Sequence, residues 1–223
     1  MDFGRPVGVA HPPFIIAAID CRELGTLDKA LAAIDAAATS TVDAIKLDRM
    51  PWAWSTRLIQ RATARGLAVL ATALDEDMVS RLDWLGAAAF YLVFDWSDLD
   101  LVAAAARTGK PIVMQVGTAS ELEIQEIVST VHANGTGGIA LVQSVIDVDV
   151  EGLDALRRHG SVVGIADRSA GPDIAKAAIT KGASIVERRL PGASLSPREV
   201  SAVVRDCEQA WASLGDDRHW TIN

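Results

Sequence analysis

Asp167 and Arg168 stand together where the apolar run Val162-Val163-Gly164-Ile165-Ala166 ends, just ahead of Gly171-Pro172 and a helical pattern. An acid and a base released together from a buried run are a candidate substrate clamp, because ligand sites in strand-helix repeats gather where strands finish and helices begin. The competing reading is an ion pair at a loop edge. Lys46 and Asp48 form a second candidate: period-two alternation puts both on one side of the run ending at Leu47, with Ile45 and Leu47 on the other. A lysine pointing into a protein interior is costly unless paired or used. It can hold a phosphate or carboxylate, or form a Schiff base. A salt bridge to Asp20 or Asp75 is the structural alternative. Other polar residues ending apolar runs are Asp20, Asp75, Tyr91, Asp95, Gln115, Gln143 and Glu187 to Arg189.

Asp20, Asp48, Asp75 and Asp167 are oxygen donors suited to a hard cation such as Mg²⁺. Scattered carboxylates are common at such positions, so no dedicated metal or other cofactor is expected. Histidine adds nothing: His11 and His219 are terminal, His132 lies within a helical pattern, and His159 ends one. Pro51-Trp52-Ala53-Trp54 offers an aromatic lid, but anchoring the loop on the scaffold is the preferred reading. Trp84 and Trp211 fall in helical patterns, where packing against the scaffold or an interface is expected.

The elements that must position these residues repeat. Apolar runs at Phe14–Ile19, Val42–Leu47, Leu67–Ala71, Ala89–Phe94, Pro111–Val116, Ile139–Gln143, Val162–Ala166 and Ala183–Val186 alternate with helical patterns, many closed by glycine. Ser196-Pro197-Arg198-Glu199 is a strong helix start, with a serine cap and proline at the first position. Eight strand-helix units at a spacing of roughly 25 residues, with continuous rather than alternating apolar strands, predict an α/β fold, a single (β/α)₈ TIM barrel. An open doubly wound sheet is the rival; the absence of a glycine-rich nucleotide fingerprint disfavours it. The barrel spans residues 14–214, after a lead-in of residues 1–13 and before a tail of residues 215–223.

Half of the 223 residues are apolar and the net charge is −8, which supports a sizeable core and argues against nucleic acid or an anionic membrane as partner. Two cysteines, Cys21 and Cys207, make no disulfide framework. No secretory leader is expected at the start and no run reaches 18 apolar residues, so a cytoplasmic setting is expected.

Phe14-Ile15-Ile16-Ala17-Ala18-Ile19-Asp20 resembles the opening strand of the N-acetylneuraminate (sialic acid) synthase family. Further phrases follow in the family's order: Asp43-Ala44-Ile45-Lys46, Ala71-Thr72-Ala73-Leu74-Asp75, Thr108-Gly109-Lys110-Pro111-Ile112-Val113, Val163-Gly164-Ile165-Ala166-Asp167, Gly182-Ala183-Ser184-Ile185-Val186-Glu187 and Ala193-Ser194-Leu195-Ser196-Pro197. The resemblance implies a metal-dependent barrel that condenses phosphoenolpyruvate with an N-acyl sugar, in carbohydrate biosynthesis. It also implies a C-terminal antifreeze-like domain, which is not expected here, where the barrel alone is expected. Departures fall on the chemistry. The family's first-strand acid is Ala18, its sixth-strand Leu-His-Cys reads Val142-Gln143-Ser144, its seventh-strand Ser-Asp-His reads Ala166-Asp167-Arg168, and a substrate-binding lysine is Tyr91. Guanidinium has no lone pair for a metal.

A sialic acid synthase-like pseudoenzyme is therefore expected, binding a small anionic metabolite, carboxylate or phosphate, through Lys46, Asp75, Tyr91, Gln143, Asp167, Arg168 and Glu187. A homodimer through outer helices is expected. Two alternatives stand beside it: a metal-independent lyase or aldolase using Lys46, and a scaffold subunit of an active synthase.

Overall fold

The computed structural model describes residues 1–145, 152–160, 162–169, 171–190 and 197–215. Eight parallel strands close into a barrel in sequence order: β1 (Phe14–Asp20), β2 (Ala44–Asp48), β3 (Ala68–Thr72), β4 (Ala89–Val93), β5 (Ile112–Gln115), β6 (Ile139–Val145), β7 (Val162–Asp167) and β8 (Ile185–Arg189). Closure is made by β1 pairing with β8, in the register Phe14 to Ile185 through Ala18 to Arg189. The TIM-barrel expectation holds, and the open-sheet rival does not. Glu187 to Arg189, expected just beyond the last strand, lie within it.

Alternation along each strand sorts side chains between two apolar bodies. Phe14, Ile16, Ala44, Leu70, Ala89, Tyr91, Val93, Val113, Ala140, Val142, Ala166 and Ile185 fill the barrel. Residues such as Ile15, Ile45, Leu47, Val69, Phe90, Leu141, Ile165 and Val186 pack outward under the helices. Because both faces are covered, the strands read as unbroken apolar runs.

The helices are α1 (Cys21–Leu24), α2 (Leu27–Thr39), α3 (Ser55–Ala64), α4 (Glu76–Trp84), α5 (Leu99–Arg107), α6 (Glu121–Asn134), α7 (Gly152–Arg157), α8 (Asp173–Thr180) and α9 (Pro197–Ala212). Helix α1 is too short to leave a periodic signal. Ser120 and Glu123 form a capping box that starts α6. The cap expected at Ser196 lies outside the described residues, as does the tail beyond Gly215.

The lead-in closes the far end of the barrel. Phe3 stacks on Phe14 with ring centroids 5.1 Å apart, and Val7 joins the same cluster. Arg5 fixes it by donating to both carboxylate oxygens of Asp43, at 2.5 and 2.8 Å, and to the carbonyls of Pro12 and Pro13. Trp54 packs on the core and Trp52 is 44% exposed beside Arg81, so the tryptophan pair anchors its loop and does not cover the mouth. Trp84 does not pack against the barrel and is 85% exposed, which leaves the interface alternative: it is the last residue of α4, beyond the face that buries Val79 and Leu82.

Candidate functional site

The carboxyl ends of the strands surround a cavity of about 540 Å³. It is lined by inward-facing residues of β1 (Asp20), β2 (Lys46, Asp48), β3 (Thr72) and β8 (Glu187, Arg189), and by Arg49 and Arg168 from the turns that follow β2 and β7. At its centre Lys46, 4% exposed, extends its ammonium to Glu187 Oε1 at 3.0 Å and Asp48 Oδ2 at 3.3 Å, and lies 3.6 Å from the Tyr91 ring centroid. Its partners are therefore Asp48 and Glu187, and the expected pairing with Asp20 or Asp75 is not made. Asp48 shares the inward face of β2, as alternation required; Glu187 arrives through the β8 to β1 closure, a contact no local pattern encodes.

Asp20 ends β1 and caps α1. Its Oδ1 accepts from the backbone N–H of Arg22 and Glu23, at 3.1 and 3.3 Å, while Oδ2 receives Arg49 and, at 3.3 Å, Arg189. Burial works to raise its carboxyl. The Arg49 hydrogen bond and the backbone donors outweigh that and hold it below its ordinary value. A folded-state pKa below the unfolded one contributes stability above the unfolded value of 3.8, which is lost as pH falls through the folded pKa. Asp20→Asn keeps an oxygen for the cap but removes the titration. The stability gap between wild type and variant in urea melts is expected to be wide at pH 6 and to narrow below pH 3.8. A gap constant with pH would refute this role for Asp20.

The remaining expected site residues separate. Tyr91, fully buried, forms the floor beneath Lys46 and donates to Gln115 Oε1 at 3.1 Å; burial, reinforced by the facing Glu187 carboxylate, pushes its phenol well above the ordinary range. Arg168 is exposed at the end of β7, lines the cavity, and makes no ion pair among the described residues. Asp167 reaches the cavity wall, but its carboxylate is buried in an outward pair with Arg188 and accepts from Ser169 N–H at 2.8 Å. The Asp167-Arg168 clamp is thus not made: Asp167 is committed to Arg188, its register partner on β8.

Two expectations are corrected. Asp75 is exposed and does not line the cavity; it caps α4 by accepting from Met78 N–H at 2.7 Å. Gln143 faces outward, because Leu141 packs under the helices and Val142 fills the barrel; its amide lies against Gly152 at the start of α7. Arg49 and Thr72 were missed as site residues, and Arg189 was named among the strand ends but not among the ligand-binding residues. Thr72 shares the inward face of Leu70 and donates to Asp48 Oδ1 at 2.8 Å, which the period-two pattern of β3 could have revealed. Arg49 adopts φ 48°, a left-handed turn with no sequence signal. The thiols of Cys21 and Cys207 are buried and pushed up to about 12, so neither is a nucleophile at neutral pH.

A metal, which the resemblance implies, does not fit these donors. No group of three or more histidine, cysteine, aspartate or glutamate side chains placed to hold a cation occurs among the described residues. Asp20 is taken by Arg49 and Arg189, and Asp48 and Glu187 by Lys46.

The NeuB family model matches residues 26–219. The spore coat polysaccharide biosynthesis protein SpsE of Bacillus subtilis is 26% identical, over 94% of this chain and 70% of that protein. A pseudaminic acid synthase of Helicobacter pylori is 26% identical over 62% of this chain and 43% of its own length. The crystal structure of SpsE superposes with a TM-score of 0.87 at 24% identity, covering 100% of this chain and 75% of that one. The N-acetylneuraminic acid synthetase of Leptospira borgpetersenii, solved in complex with citrate, gives 0.85 at 22% identity, covering 100% and 91%. No helix among the described residues is long and apolar enough to cross a membrane.

Proposed function

The chain belongs to the NeuB family, and from that premise we propose that its mouth binds a small carboxylate or phosphate without a metal and does not condense phosphoenolpyruvate in a metal-dependent reaction. The observation that carries this is Arg168, a cation at the mouth with no ion pair among the described residues, where Lys46, Arg49 and Arg189 are each matched to carboxylates. An unmatched guanidinium at a concave site is a carboxylate or phosphate receptor. The Leptospira synthetase holds citrate, so a protein of this fold accommodates a small carboxylate. The residues that hold a metal in the resembled family fall on Val142-Gln143-Ser144 and Arg168 here, which offer no imidazole. The lyase reading has less support: the Lys46 ammonium is already engaged by two carboxylates and a ring face.

The test is calorimetric titration with phosphoenolpyruvate, with and without Mn²⁺, beside a turnover assay with N-acetylmannosamine. Binding independent of Mn²⁺ is expected, weakened about tenfold or more by Arg168→Ala, the loss of one charge-assisted hydrogen bond. Mn²⁺-dependent consumption of phosphoenolpyruvate, or equal affinity in wild type and Arg168→Ala, would overturn the reading.

A further inference from the structure

Glu187 uses only half of its carboxylate. Oε1 accepts from Lys46, whereas Oε2 is buried without a hydrogen-bond partner, in a side chain 7% exposed that lines the mouth cavity. Tyr91 comes within hydrogen-bonding reach of the Glu187 carboxylate as well as feeling its charge, but in this geometry its single hydroxyl proton is donated to Gln115 Oε1 at 3.1 Å. A buried carboxylate oxygen with no donor costs free energy that a bound ligand can recover.

The charges around it are also uneven. Lys46 is one cation facing two carboxylates, Asp48 and Glu187, so this cluster carries an excess negative charge on the β2 and β8 side of the mouth. Arg168, across the β7 end, carries the unmatched positive charge. Both sit around Tyr91: Glu187 raises its phenol and Arg168 acts in the opposite direction. A hydroxyl would satisfy Oε2 but leave the charge in place. An ammonium does both, and burying a charge is tolerable only when it is paired.

Resting on the anion reading above, we infer that the ligand is a small zwitterion, an amino acid or other aminated acid, whose ammonium donates to Glu187 Oε2 while its carboxylate meets Arg168. Either group alone meets only half of the site. An anion without the ammonium leaves Oε2 unpartnered, and an amine without the carboxylate leaves Arg168 bare.

The experiment titrates wild type, Glu187→Gln and Arg168→Ala with ω-amino acids of increasing chain length, each beside the monocarboxylate of the same length. At one length the amino acid is expected to bind at least tenfold tighter than its partner. Glu187→Gln, which turns the acceptor at Oε2 into a donor, should abolish that difference, and Arg168→Ala should weaken both ligands. Where Glu187→Gln fails to fold, Glu187→Asp retains the charge and should move the optimum to a longer amino acid. Equal binding of amino acid and monocarboxylate at every length, with Arg168→Ala still weakening both, would overturn the zwitterion and leave the anion reading intact. No binding of either ligand class would overturn both.

Discussion

Lys46→Ala is expected to destabilise the barrel by about 3 to 5 kcal/mol, the cost of leaving a buried charge without its counter-ion. Glu187 and Lys46 are both almost fully enclosed, and Asp48, the third member, is itself only 30% exposed in its side chain. Removing the ammonium leaves two carboxylates facing one another beside a π-face that offers no compensation. The urea midpoint should fall sharply, with the transition slope unchanged. The double variant Lys46→Leu/Glu187→Leu should recover much of the loss, since apolar groups of similar volume often replace a buried pair at little cost. If the single variant unfolds at the wild-type midpoint, or the double variant is weaker than the single, the pair does not hold the mouth together.

Gly164→Ala should cost about 2 to 3 kcal/mol by overpacking. Gly164 pairs with Val142 on one side and Ile185 on the other, pointing into the barrel. A methyl group there would lie 2.5 Å from the Ile185 carbonyl oxygen and 2.6 Å from its Cβ. Both belong to the neighbouring strand, so relief requires moving β8, which carries Glu187 and Arg189. The variant should therefore lose mouth geometry along with stability. A wild-type melting temperature in calorimetry would show that the strands separate freely.

The barrel was legible because a closed parallel sheet buries both faces of every strand, and that leaves runs such as Phe14–Ile19 and Ile139–Val142 unbroken by polar residues. The mouth was legible only where a polar residue sat inside a strand. Lys46 and Asp48 declare themselves by lying two apart, and Tyr91 and Glu187 sit on the inward face. Asp75 misled because a carboxylate that caps a helix and one that meets a ligand occupy the same strand-to-helix junction. Gln143 misled because one residue of register decides whether a side chain faces the mouth or the helices, and resemblance in short phrases does not fix that register. The partner of Lys46 was not legible, since Glu187 reaches it only through ring closure.

That closure has a kinetic consequence. One edge of β1 is paired by β2, but the other stays unmatched until Ile185–Arg189 has been synthesised and brought round. The Trp211 indole N–H, in α9, donates to the Val9 carbonyl at 3.2 Å, so one anchor of the lead-in forms only when α9 docks. A nascent chain therefore carries an open, apolar strand edge through most of its synthesis, and such edges recruit other chains. Contacts so distant in sequence slow folding. The protein should pass from sticky to protected in one late step, when β8 meets β1 and the Lys46 to Glu187 pair forms with it.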